Sequence, residues 1–543
     1  MLDPSLYYLS NFRTALAWLD ARYADLLSDA ERDFLARFAA LPTAAQALLV
    51  RLVMRKGAHF RASKLDYAEI GDIASAAAPL LALGWLSDAA VLPLETLFAL
   101  LRKDELLASF PPLRAHRTAK KAELLAVLAE QQPEPRRFAD WCPALDERVY
   151  SLQVGELCDR LRLLFFGNLA QDWSEFVLAE LGIYRYEQVP FTADSRAFRA
   201  RQDLEDYLHL QHGRELFAAG EPVEAVLAHL AGFASANPWL QGRHAKLLFR
   251  LAQQLEREQQ WAAALDLYAR CGYGGARQRR IRVLEKLGEW PAAHALALEA
   301  AAAPESDAEA QLVERALARS ARQLGLGGAR RKTASAAGRL DLCLPVPATG
   351  VEWAVRDHLS EPQAPVHYVE NTLICSLFGL LCWEAVFAPL PGAFFHPFHA
   401  GPADLLAPDF HARRRVLFDA CLQRLESGAY RDAIRATYRA KFGLQSPFVH
   451  WTVVDETLLE QALHCLPAAH LDAWFRRLLG DLRGNRAGMP DLIQFWPAER
   501  RYRMIEVKGP GDRLQDNQRR WLAFCAEHGM PVDVCYVRWA EPA

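Results

Sequence analysis

Asp491, Glu506 and Lys508 put two carboxylates and an amine within one short stretch of this 543-residue chain, Met489 to Trp521, MPDLIQFWPAERRYRMIEVKGPGDRLQDNQRRW. Leu492 to Trp496 is an apolar run with strand character, Pro497 to Arg501 is polar and turn-like, and Tyr502 to Val507 reads as a second strand. Glu506 and Lys508 are two apart, so on a strand they share a face. A hairpin of this length brings Asp491 alongside Glu506. Neighbouring carboxylates raise each other's pKa unless a cation neutralises them. Carboxylate oxygens are the ligands that Mg²⁺ and Mn²⁺ prefer. Lys508 would stand beside such a metal as a point charge, suited to a phosphate oxygen or to the attacking water. The plain alternative is a surface hairpin whose charged residues form salt bridges. After the Gly509-Pro510-Gly511 turn comes a segment of helical period, with Leu514, Trp521, Leu522 and Cys525 near one face.

Pro490-Asp491 followed by Glu506-Val507-Lys508 resembles the PD-(D/E)xK nuclease core. Gly488 precedes it, GPGDRL stands directly behind the second strand, and Gln518 and Trp521-Leu522 follow on the next helix. Together these are similar to the virus-type replication-repair nuclease (VRR-NUC) domain in the form found in Fanconi-associated nucleases. The resemblance implies Asp491 and Glu506 as metal ligands, with the Val507 carbonyl as a further one, around two Mg²⁺ or Mn²⁺ ions. It implies Lys508 as the group that orients the nucleophile or stabilises developing charge, and matches Asp512 and Arg513 to positions linked to activity. Gln518 is expected to face the site from the following helix. Upstream, Glu370 precedes the apolar run Thr372 to Trp383 and matches a Glu that this family carries to the metals, although Asn371 stands where Gly is expected. An acid in the first turn of a helix is also favourable with the helix dipole, which is the ordinary alternative.

The elements that must position these groups belong to a chain long enough for about three or four domains. Composition is globular, 52% hydrophobic and 24% charged, with a net charge of −3. A DNA-binding protein with that balance has to segregate its basic residues onto one face. Ten Cys without a CxxC pair argue against zinc fingers and a disulfide framework, and for scattered, reduced thiols. MLDPSLYYLSNF has neither a basic nor an apolar leader region, so no signal peptide is expected. The apolar run Thr372 to Trp383 is too short to span a bilayer and reads as a buried helix.

In chain order, the expected organisation is an N-terminal helical DNA-binding region over 1–80, a SAP-like helical hairpin over 81–135, a TPR-like helical scaffold over 136–339, and a nuclease domain over 340–543 with a helical insertion at 385–480. The fold class is thus multidomain and mostly α, ending in an α/β restriction-endonuclease-like domain. Arg55, Lys56, Arg61 and Lys64 form a first basic cluster, on a segment, Leu49 to Asp72, similar to the entry of the Fanconi-associated nuclease body. LETLFALLRKDELLASF and AKKAELLAVLAE read as two helices resembling a SAP motif, with Arg102, Lys103, Arg114, Arg117, Lys120 and Lys121 as phosphate contacts. Gln131 to Pro135 reads as a linker, and Arg160 to Phe166 and Phe176 to Leu181 as buried helices. GEPVEAVLAHL, QQWAAALDLYA and GEWPAAHALAL, starting at 220, 259 and 288, form a loose helical repeat. Arg277, Arg279, Arg280 and Arg282 beside Gly274-Gly275 are a candidate phosphate site or a solvated helix end. Gly325 to Ser335 reads as a linker and lacks the Lys-Ser/Thr placement of a P-loop. His396 and His399 read as core or loop histidines, since no third ligand is evident.

The family resemblance implies a metal-dependent, structure-specific DNA endo- and exonuclease of phosphodiesterase I type. It would cut 5′ flaps and branched junctions and act 5′ to 3′ in interstrand-crosslink repair. It further implies a cytoplasmic, nucleoid-associated bacterial protein with no membrane partner, monomeric with dimerisation on DNA open. Eukaryotic members carry a ubiquitin-binding zinc finger that this chain lacks, so recruitment through a ubiquitinated partner is not expected. Two alternatives share the motif: a Holliday-junction resolvase or restriction-like endonuclease, and a DNA-binding scaffold with a decayed nuclease core.

Overall fold

In the computed structural model, residues 6–131, 134–173, 184–327, 337–346 and 349–540 are described. The helix expected over Phe176 to Leu181 and most of the linker expected over Gly325 to Ser335 lie outside them. The chain divides into two compact units, Met1–Ile183 with Phe198–Leu204, and Tyr184–Ala197 with Glu205–Ala543.

The first unit opens with helices Tyr7–Tyr23, Asp29–Ala40 and Thr43–Val53. Ser28 caps the second of these, and Glu31 closes a capping box with it. The Glu31 carboxylate is fully buried and also holds Arg160 at 2.9 Å and Arg201 at 2.6 Å, so its charge is compensated twice. Val149–Leu152 is the middle strand of a three-stranded antiparallel sheet, between His59–Arg61 and Leu86–Ser87. This corrects the scaffold boundary expected at 136. Phe138, Trp141 and Val149 bury in the same small core as Leu97, Leu106, Leu113, Leu124 and Leu128, and the Trp141 indole donates to the Leu92 carbonyl at 3.0 Å. A four-residue strand is too short to announce itself by alternation.

The SAP-like segment also differs from two helices. Helices Leu94–Leu100 and Lys103–Ser109 are separate, a 3₁₀ turn spans Pro111–His116, and Lys121–Gln131 follows. The break falls at Arg102, whose backbone N–H donates to the Glu105 carboxylate at 2.7 Å, starting a new helix inside an otherwise continuous periodic run.

In the second unit, helices Pro238–Arg257, Trp261–Ala269, Ala276–Leu287, Trp290–Ala302 and Asp307–Gln323 follow one another. The three expected repeats begin at matching turns. Gly220, Gln259 and Gly288 each have a positive φ, of 88°, 60° and 78°, just before the second helix of a pair. Gln259 thus holds a left-handed conformation that its two counterparts fill with glycine.

The C-terminal sheet has five strands: β1 (Gly338–Leu344), β2 (Val366–Tyr368), β3 (Leu492–Trp496), β4 (Arg501–Lys508) and β5 (Val532–Trp539), in the order β1-β5-β4-β3-β2. β5 runs parallel to both β1 and β4, while β3 is antiparallel to β4 and β2. Alternation along β4 divides its side chains. Ile505 and Val507 enter a core with Leu492, Cys535 and Val355 from the helix α1 (Val351–Leu359). Tyr502 and Met504 enter the larger core on the other face, with the helices α2 (Leu373–Leu381) and α3 (Asp516–Glu527). All nine residues of α2 are buried, and no helix among the described residues is long and apolar enough to cross a membrane. The helical insertion expected over 385–480 packs against the nuclease sheet. Phe418, Leu459, Trp474 and Phe475 bury in the same core as Ile493 and Trp521. The ten cysteines are free thiols, and all but Cys343 are buried.

Candidate active site

The apolar alternation of β4 changes character at its C-terminal end. On the face that carries Tyr502 and Met504, the next two side chains are Glu506, fully buried, and Lys508, 8% exposed. Asp491 lies one residue before β3, also 8% exposed, on the same face as Ile493. Its Oδ2 accepts a hydrogen bond of 2.7 Å from the Val507 N–H, and its backbone carbonyl accepts one of 2.9 Å from the Val369 N–H. A strand residue projects its N–H and C=O to the same edge, so the Val507 carbonyl shares the side occupied by Asp491. The expected meeting of Asp491 with the ExK strand is therefore present in the structure.

The charges there are under-compensated. Lys508 Nζ lies 2.7 Å from Glu506 Oε1, and Glu506 Oε2 has no partner among the described residues. Burial pushes both carboxyl groups above the ordinary carboxylate range. Val507 and Lys508 pull Asp491 back; Asp491 pushes Glu506 further up, and Lys508 pulls it back. Glu370 adds to the rise in both, and Glu352, in the first turn of α1, adds to that of Asp491. A buried carboxylate with an unsatisfied oxygen is costly unless something positive joins it. Asp491 and Glu506 offer carboxylate oxygens, the hard donors that suit Mg²⁺ or Mn²⁺. The residues present fit such an ion, although no three His, Cys, Asp or Glu side chains form a closed cage among the described residues.

Glu370 is exposed, between β2 and α2. Its two oxygens accept from the Tyr368 hydroxyl at 2.6 Å and from the Asn371 side-chain amide at 3.1 Å. Neither Tyr368 nor Asn371 belongs to the sequence motif. Tyr368 sits two residues before Glu370, a spacing of strand period that could have flagged it; Glu352 carries no local signal. Gly488 has φ +91°, and a Cβ there would meet Asn517 Nδ2 at 2.7 Å and the Asn517 backbone carbon at 2.9 Å. Glycine is therefore required where α3 passes the Met489-Pro490-Asp491 segment.

The GPGDRL turn and α3 place their polar groups locally. Asp512 Oδ2 accepts the Gly509 N–H at 3.0 Å, and Gln518 Oε1 accepts the Gln515 N–H at 2.8 Å in a capping box. Asp512 thus closes the turn and Gln518 caps the helix. Arg513 is exposed and makes no ion pair among the described residues.

Several basic residues read as phosphate contacts hold protein groups instead. Arg61 has its side chain 10% exposed, between Glu105 and Glu147 at 2.8 Å each. Lys103 and Lys121 donate to the Ala119 and Leu101 carbonyls at 2.6 and 2.7 Å, closing helix ends. Arg114 donates to the Leu107 and Ala108 carbonyls at 3.1 Å each, and Arg102 lies near Asp104 and Glu105. Arg277 pairs with Glu309 at 2.6 Å, and Arg279 and Arg282 with the buried Glu256 at 3.2 and 3.1 Å. Arg280 forms no ion pair among the described residues. Arg55 donates to the Tyr67 hydroxyl at 3.0 Å; Lys56, Lys64, Arg117 and Lys120 are exposed. His396 is buried and His399 half-buried, with ring centroids 4.1 Å apart, and desolvation lowers the pKa of both.

Residues 425–539 match the VRR-NUC domain, residues 6–87 the FAN1, HTH domain, and residues 91–141 the Fanconi anemia-associated nuclease SAP domain. The first match contains Asp491, Glu506 and Lys508. The chain is 61% identical over 540 residues to the Fanconi-associated nuclease 1 homolog of Pseudomonas aeruginosa, covering 99% of this chain and 97% of that protein. It is 34% identical over 175 residues to Fanconi-associated nuclease 1 of Homo sapiens, which covers 31% of this chain and 17% of that one. The crystal structure of paFAN1 bound to 2nt 5′flap DNA with gap is similar with a TM-score of 0.93 and 60% identity, covering both chains completely.

Proposed function

From the premise that this chain belongs to the Fanconi-associated nuclease family and is a DNA nuclease with a VRR-NUC domain, we propose that it cleaves 5′-flap and branched DNA. The same reading gives it 5′-to-3′ exonuclease activity and a place in interstrand-crosslink repair. Two crystal structures of paFAN1 are bound to 5′ flap DNA. The observation that carries the reading is the join of Asp491 to the ExK strand at Val507, beside the buried carboxylate of Glu506.

Glu370, Asp491, Glu506 and the Val507 carbonyl are the groups that would hold divalent ions, two Mg²⁺ or Mn²⁺ in this reading. Such ions lower the pKa of a bound water and neutralise charge on the phosphate and the leaving oxygen. The protein's own groups do the rest. Val507 N–H fixes the rotamer of Asp491. Lys508, anchored on Glu506, has three N–H donors, and those not facing Glu506 can orient the attacking water or bind a phosphate oxygen. Arg513, exposed after the ExK strand, is a phosphate contact in this reading. Lys56, Lys64, Arg117 and Lys120 have the exposure needed to meet the DNA backbone without reading sequence.

The test is incubation with Mn²⁺ or Mg²⁺ and labelled 5′-flap, 3′-flap, four-way and duplex DNA, with the products mapped. Incision of one strand beside the 5′ flap is the expected result. Paired symmetric cuts in the four-way junction would favour a resolvase, and binding without cutting would mean a decayed core.

A further inference from the structure

Asn371 is one of three non-glycine residues among those described with a positive φ, at +54°. Asn tolerates this left-handed conformation better than other side chains, but it still costs free energy relative to glycine. The residue sits between β2 and α2, immediately after Glu370 and outside the VRR-NUC match, which begins at 425. Its side chain bonds in two directions. Nδ2 donates to Glu370 Oε1 at 3.1 Å, and Oδ1 accepts the Met489 N–H at 3.1 Å. Met489 lies two residues before Asp491 on the segment that enters β3. A second link runs beside it, from the Val369 N–H to the Asp491 carbonyl at 2.9 Å. On the far side of Glu370, the Tyr368 hydroxyl holds Oε2 at 2.6 Å.

We propose that Asn371 is a positioning residue that locks the Glu370 carboxylate to the segment carrying Asp491, with Tyr368 as the second brace on Glu370. The two carboxylates come from parts of the chain more than a hundred residues apart, 118 between Asn371 and Met489. A side chain that bonds to both sets their relative position before any cation arrives. Its amide can do so because it is donor and acceptor at once. Each Glu370 oxygen accepts one hydrogen bond here and keeps a further lone pair for a metal. The left-handed turn aims the short Asn side chain back across Glu370 toward Met489, which gives a reason for keeping a strained residue at this position.

This inference rests on Glu370 being a metal ligand, and the experiment separates the two. Mn²⁺ is titrated into the full chain without DNA, and binding is followed by electron paramagnetic resonance. N371G keeps the backbone conformation and removes both bonds. It should weaken Mn²⁺ binding about tenfold or more, as loss of a group orienting a ligand does. Thermal unfolding of the metal-free protein should stay close to the parent's. Cleavage should fall more at low Mn²⁺ than at saturating Mn²⁺. Y368F should shift Mn²⁺ binding in the same direction and serves as the second variant if N371G folds poorly. E370Q is the control. If E370Q weakens Mn²⁺ binding while N371G and Y368F leave it unchanged, the brace is overturned and the ligand assignment stands. If E370Q leaves Mn²⁺ binding unchanged, the ligand assignment fails and the brace falls with it.

Discussion

The Asp491 carboxylate is joined to the backbone N–H of Val507 by a hydrogen bond of 2.7 Å, which ties the Pro-Asp segment to the middle residue of the ExK motif. This bond fixes the carboxylate without neutralising it. Asparagine at 491 can still accept the Val507 N–H through its amide oxygen but contributes no charge to a cation. D491N should therefore lose at least about 1000-fold in cleavage rate, the scale of several kcal/mol of metal-supplied stabilisation. Metal-free D491N should unfold at the same temperature as the parent or higher, because a buried charge has been removed. K508A should lower cleavage on the order of 100-fold by losing one donor to the transition state. Rates on a labelled 5′ flap and calorimetric scans of each variant check both; near-parental cutting by D491N would remove Asp491 from the metal site.

The raised carboxyl groups of Asp491 and Glu506 set a pH dependence whose sign can be worked out. A carboxyl whose folded pKa lies above its unfolded value binds its proton more tightly when folded. Its stabilising effect is full below the unfolded pKa and is lost as pH rises through the raised folded value. Metal-free protein should thus lose stability as pH climbs from the acid side toward neutrality. A cation has to displace those protons, so its apparent affinity should rise over the same range, with proton release on binding. Titration calorimetry of Mn²⁺ in two buffers of different ionisation enthalpy measures the protons directly. No proton release at mildly acidic pH would contradict the raised carboxyls.

Some of this was legible in the sequence, and the reason is local. Asp491, Glu506 and Lys508 interrupt apolar strands at their ends, and strand period alone puts Glu506 and Lys508 on one face. Trp521, Leu522 and Cys525 are buried along α3 as their spacing predicts. The fate of the basic residues was not legible, because it is decided by partners far along the chain. Arg61 meets Glu105 and Glu147 across 44 and 86 residues, and Arg277 meets Glu309 across 32. No window around an arginine contains that information. The break at Arg102 was hidden for the opposite reason. Its flanking residues are good helix formers, and only a single backbone bond to Glu105 restarts the helix.

The exposed and the engaged lysines of the SAP segment should therefore behave differently. Lys120 is exposed, whereas Lys103 Nζ holds the Ala119 carbonyl at 2.6 Å. If Lys120 contacts a phosphate, K120A weakens flap binding and flattens the slope of log K against log salt by about 0.9, the value of one released counterion. K103A should leave that slope unchanged and lower thermal stability, by about 1.5–3 kcal/mol for a lost hydrogen bond from a charged donor. Fluorescence anisotropy over a salt series reads the first, and a thermal scan the second. Equal slopes for both variants and the parent would take Lys120 out of the DNA interface.

Gly488 offers a test of how tightly the catalytic segment is held. Its φ of +91° is unfavourable for any residue with a Cβ, and that atom would sit 2.9 Å from the Asn517 backbone carbon. A backbone atom at the start of α3 cannot rotate away as a flexible side-chain tip can. G488A must therefore shift either α3 or the Met489-Pro490-Asp491 segment, at a cost of roughly 1–3 kcal/mol for the backbone conformation alone. Asp491 is three residues on, and its bond to Val507 leaves little slack. The expected outcome is a lower unfolding temperature together with a loss of cleavage that persists well below that temperature, where the protein is still folded. G484A provides the comparison: Gly484 lies in the short helix just before, at a negative φ, where the nearest atoms a Cβ would meet belong to the side chain of Asp481, the helix cap, rather than to backbone. If G488A and G484A lose activity equally, the close approach at Asn517 does not set the position of Asp491.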